Sequence, residues 1–89
     1  MAISQYLSEF VGTFILLAFI TRFKSPFIIA LGFLLAILVS GDYSGGHINP
    51  AVSISQVFSG SLPASALPGY IVAQIAGAVS AVYLVKRFM

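Results

Sequence analysis

Few side chains in this sequence could do chemistry, and their spacing decides which. The candidates are Glu9, the lone His47, Asn49 and Gln74, with Gly45 and Gly46 just ahead of the histidine. No nucleophile is paired with a base, so an enzyme is not expected. One histidine with no cysteine and no carboxylate cluster beside it is a weak metal signal, and no metal or other cofactor is expected. Proton sensing is the other chemistry open to a histidine. Asn49-Pro50-Ala51 says more. Asparagine is a good helix N-cap, and proline suits the first helical position because its fixed φ fits and its missing N–H would have gone unpaired. A short helix is therefore expected from Pro50. Its first N–H groups would hold the Asn49 side-chain oxygen and leave the NH2 free to donate. The bland alternative is an ordinary Asn-Pro turn.

The elements around these residues set their medium. Ser44 to Ser53 is polar, glycine-rich and broken by proline, yet it lies between hydrophobic runs. It leads into residues 51–58, too apolar to leave in water and too short to cross a bilayer, which marks a re-entrant segment spanning about 44–58. A helix start at membrane depth points its N–H groups and positive dipole end into the membrane, and the backbone before it must line water or be buried in protein. Three longer runs, about 3–21, 26–41 and 67–85, read as transmembrane helices. At about 1.5 Å per residue the first and third match a hydrocarbon core of roughly 30 Å. A cleaved signal peptide is the alternative for the first run. It lacks a basic leader, contains Glu9 and shows no cleavage pattern before Arg22, so a retained span is expected.

Composition agrees with a multi-pass integral membrane protein in contact with lipid. The chain is 60% hydrophobic and 7% charged, with mean hydropathy +1.09, where a soluble domain has about 25% charged residues. Four basic residues with no cluster larger than a pair make a poor nucleic-acid footprint, and no nucleic-acid partner is expected. Within an apolar helix Glu9 must be paired, protonated or hydrogen-bonded, and it reads either as a brace or as a group handling protons or solute. Gln74 reads as an interior amide, with helix–helix contact as the plainer role. Gly12, Gly32 and Gly77 lie within spans, where small residues let helices approach closely.

Three motifs occur in order: Glu9-Phe10-Val11-Gly12-Thr13-Phe14, then Gly45-Gly46-His47-Ile48-Asn49-Pro50-Ala51, then Ala73-Gln74-Ile75-Ala76-Gly77-Ala78. Together they resemble the amino-terminal half of the major intrinsic protein family, the aquaporins and aquaglyceroporins. The resemblance implies an all-α fold of three spans plus one re-entrant half-helix, one of the family's two inverted repeats, as a single unit over 1–89. It also implies passive permeation of water or a small neutral solute. Asn49, Pro50 and Ala51 would stand at the pore's midpoint, the carbonyls of Gly45, Gly46 and His47 would face the solute, and Glu9 and Gln74 would brace the loop. By family spacing the aromatic constriction position falls on Ile29. Val52 follows the only Asn-Pro-Ala, whereas the family's second copy of that motif is followed by an arginine. An aliphatic side chain with no arginine opposite implies a less polar filter.

One such half cannot enclose a pore. A second copy in antiparallel orientation, or a separate second-half chain, is the expected partner. The alternatives are a truncated channel remnant and a non-conducting membrane-interaction or regulatory protein. Charge bears on the choice: Arg22, Lys24, Lys86 and Arg87 fall on one membrane side under the three-span topology. The positive-inside rule makes that side cytoplasmic and the amino terminus external. The family's amino-terminal half has its amino terminus inside.

Overall fold

The computed structural model describes residues 2–89, so Met1 of the expected 1–89 unit lies outside it. The chain is all-helical. In order come α1 (Ala2–Arg22), α2 (Pro26–Ser44), α3 (Pro50–Ser59), a single 3-10 turn (Ala64–Ala66) and α4 (Leu67–Phe88).

Local chemistry sets the ends. Ser25, in extended conformation, accepts the Ile28 N–H at 3.3 Å and caps α2 ahead of Pro26. Instead of ending at Gly41, α2 continues through Asp42 to Ser44. It stops at Gly45, whose left-handed φ of 86° turns its N–H back onto the Gly41 carbonyl. A glycine inside a helix costs only about 1 kcal/mol and does not end it, whereas a left-handed glycine does. The same device closes α3 at Gly60, φ 87°. The last turns of α1 and α4 take in Arg22, Lys86 and Arg87, one to three residues past the expected bounds of 21 and 85. Cationic side chains are favoured there against unpaired carbonyls.

α1 is the central helix, packed on α2 along one side and on α4 along the other. Ser8 bonds Ser44 while Gly12 lies against Ser40 and Gly32 against Phe19, so α2 runs antiparallel to α1. Tyr6 meets Tyr70 and Gly77 abuts Phe10, so α4 runs parallel to it. Small residues set these separations. A Cβ on Gly77 would collide with the Phe10 carbonyl, and one on Gly12 would approach Ile48 Cγ2 to 2.8 Å. α2 buries only Gly32, Ala36, Ser40 and Ser44, a stripe of small residues one turn apart.

Outside that stripe α2 is apolar and exposed, with Phe27, Leu31, Leu34 and Leu38 turned outward. The segments Pro26–Ser44 and Ala64–Phe88 are long and apolar enough to cross a bilayer. The molecule's longest extent is 38 Å, enough for a hydrocarbon layer of roughly 30 Å. α3 has 10 residues, and at 1.5 Å each it reaches about half that thickness.

Candidate functional site

Glu9 is fully buried on α1, and four donors converge on its two oxygens. Oε1 accepts the Ile48 N–H at 2.7 Å and Gln74 Nε2 at 2.8 Å. Oε2 accepts the Ser44 hydroxyl at 2.5 Å and the His47 N–H at 3.1 Å. Two of these donors are backbone groups of the 44–50 connection, one is the last residue of α2 and one comes from α4. A single carboxylate thereby ties the loop to all three long helices, and its acceptor capacity is filled.

The loop backbone is bent to allow this. Gly45 and Gly46 have φ of 86° and 65°, and Ile48 has φ 49°. Glycine takes such values freely, but a β-branched residue does so only under constraint. Burial and the bond to Glu9 supply that constraint. The peptides are trans, so each N–H aimed at Glu9 turns the preceding carbonyl the other way. The carbonyls of Gly46 and His47 therefore point away from the carboxylate.

A second network orders the histidine. His47 Nδ1 lies 2.9 Å from Ser53 Oγ, which also accepts from Gln74 Nε2 at 2.8 Å. The imidazole packs on Tyr70 at 4.9 Å between ring centroids. Tyr70 donates its hydroxyl to the Ser44 carbonyl at 2.8 Å and accepts from Gln5 Nε2 at 2.9 Å. Sequence reading does not single out Ser44, Ser53, Tyr70 or Gln5. A signal was present: Ser40 and Ser44 are one turn apart within an apolar run, as are Tyr70 and Gln74.

Asn49 is exposed, in extended conformation, and its Oδ1 accepts the Ala51 N–H at 2.7 Å ahead of Pro50. That bond uses the acceptor and leaves the NH2 donors uncommitted. Two recesses flank the loop. One of about 480 Å³ is bordered by Gly45, His47, Val52 and Tyr70. The other, about 250 Å³, is bordered by Asn49, Pro50, Ile48, Thr13 and Gln74. Ala51, the second residue of α3, is exposed. Ile29 borders neither recess: it lies half-buried in the first turn of α2, about 22 Å along that helix from Ser44.

The family described as Major intrinsic protein matches residues 1–89. The chain belongs to the major intrinsic protein family. It is 43% identical over 94 residues to the Glycerol uptake facilitator protein-like 6 of Lactiplantibacillus plantarum, covering 96% of this chain and 44% of that protein. Identity to the Probable glycerol uptake facilitator protein of Thermotoga maritima is 40%, over 92% of this chain and 42% of that one. Aquaporin-9 of Homo sapiens is 42% identical, over 83% and 30% respectively. The chain thus spans less than half the length of these major intrinsic proteins. No solved structure matches it significantly.

Proposed function

We propose that this chain is one half of a channel for passive permeation of water or small neutral solutes. In this reading α1, α2 and α4 cross the bilayer, α3 is re-entrant, and a complementary inverted half closes the pore. The observation that carries it is the pairing at Asn49: its oxygen is held by the first turn of α3 while its NH2 remains free at an exposed surface. A solute oxygen would accept from that NH2. The Gly46 and His47 carbonyls, turned from Glu9, would accept from the solute just before. Cations would face the positive end of α3 and be rejected. Relatives whose names describe glycerol uptake or aquaporins support neutral solutes as the permeant class.

A second half is needed because α3, with 10 residues, would reach only mid-membrane depth and Asn49 is uncovered. Glu9 and Gln74 serve as braces, and Ile29 lines a constriction some distance from Asn49. Osmotic shrinkage of vesicles tests the proposal. Flux above lipid background should require the chain together with a second-half polypeptide carrying its own Asn-Pro-Ala. Flux from this chain alone would instead mean an antiparallel homodimer, and none in either condition would mean a non-conducting membrane protein.

A further inference from the structure

All four cationic side chains, Arg22, Lys24, Lys86 and Arg87, gather at one end of the bundle. Because α1 and α4 run parallel, their last turns lie side by side. Between them opens a recess of about 300 Å³, lined by Thr21, Arg22, Val85, Lys86 and Met89. Neither acidic side chain reaches it. Asp42 is in the last turn of α2, at the end that packs against Ser8, and Glu9 lies about 20 Å along α1 from Arg22. The two helix C-termini offset part of the charge, since each is equivalent to about half a negative charge, and the Met89 carboxylate of the 89-residue chain adds about one more. Against four cations that leaves about two unbalanced, and the N-terminus of α2 at the same level adds a further half positive charge.

Apolar side chains stand beside the charge. Phe27, Phe88 and Met89 are 85%, 72% and 77% exposed. A free anion gains nothing from them, whereas a lipid brings a phosphate for the cations and hydrocarbon for the rings. We infer that this recess is a headgroup site for an anionic phospholipid, with Arg22 and Lys86 holding the phosphate oxygens. The guanidinium lies 5.2 Å over the Phe23 ring, which leaves its N–H edge available for a bidentate contact. Thr21 offers a hydroxyl beside it. Basic recesses between transmembrane helices favour such headgroups.

The site is independent of conduction, so its test reads bound lipid and not flux. The purified full chain in detergent is titrated with phosphatidylglycerol, phosphatidylcholine and inorganic phosphate, and bound lipid is counted by native mass spectrometry. One phosphatidylglycerol should be retained at least ten-fold more tightly than phosphatidylcholine. At about five-fold per cation near the headgroup layer, the Arg22→Gln, Lys86→Gln double variant should lose about 25-fold. The Arg22→Lys, Lys86→Arg variant should keep most of the affinity, which separates loss of charge from loss of fold. Equal retention of the two lipids, or a double Gln variant that binds like the parent, would overturn the site. Displacement of the lipid by inorganic phosphate at equal concentration would overturn the lipid as its occupant.

Discussion

Ile48 donates its N–H to Glu9 Oε1 at 2.7 Å while holding a φ of 49°, a value a β-branched side chain rarely takes. The two facts belong together. The left-handed turn aims this N–H into the bundle, and the buried carboxylate supplies the interaction that keeps the turn in place.

The Glu9 site should rank its substitutions. Glu9→Gln keeps one carbonyl oxygen for Ile48 and Gln74, but sets an NH2 against the His47 N–H. Glu9→Leu leaves the Ile48 and His47 N–H groups unmet, while Gln74 keeps Ser53 and the Ser44 hydroxyl keeps the Ser40 carbonyl. With each buried unpaired group costing roughly 1–3 kcal/mol, thermal unfolding in detergent should order them parent, Gln, Leu. Equal midpoints for the two variants would remove the bracing role.

The strained turn makes an inverted prediction. Glycine normally lowers stability relative to alanine, yet at Ile48 both variants lose the buried side chain and only alanine retains the left-handed penalty. Ile48→Gly should therefore be more stable than Ile48→Ala by about 1–2 kcal/mol. Chemical denaturation in mixed micelles measures the difference, and the usual order would show that the loop relaxes to another conformation.

Two helical glycines should respond in opposite directions. Gly41→Ala meets nothing nearer than Ile37 Cγ2 at 4.0 Å, and should stabilise by up to about 1 kcal/mol through helix propensity alone. Gly77→Ala drives its methyl into the Phe10 carbonyl, so the helices must separate and stability should fall by about 1–3 kcal/mol. Melting temperatures of the pair decide the matter.

At the proposed pore, Asn49→Asp places a negative charge where the α3 dipole would repel cations, and removes the NH2. In vesicles holding an active assembly, neutral-solute flux should drop by roughly ten-fold while cation leak rises. That is the loss expected for one good hydrogen bond of about 1.4 kcal/mol. Flux and ion rejection both unchanged would take Asn49 out of the path.

Family membership and the helical class were legible because they rest on composition and on short motifs whose residues are irreplaceable locally: a capping asparagine, a proline, paired glycines. What surrounds Glu9 was less so. Ser44 and Ser53 resemble loop filler in one dimension, and only the antiparallel approach of α2 and the fold-back of α3 bring them to the carboxylate and the imidazole. The end of α2 illustrates the other limit. Gly41 and Gly45 are alike as letters, and the chain distinguishes them by conformation: Gly45 alone is left-handed, with its N–H returned to Gly41.

The buried stripe on α2 implies a rhythm of mutational tolerance. Gly32, Ala36, Ser40 and Ser44 are the residues of α2 fully buried against the rest of the chain. In a saturation scan this helix should therefore show a four-residue beat, intolerant at those sites to anything bulkier. The positions between should accept many apolar replacements and be limited chiefly by hydrophobicity. A beat of that kind would separate what the chain asks of its own folding from what its surroundings ask of it.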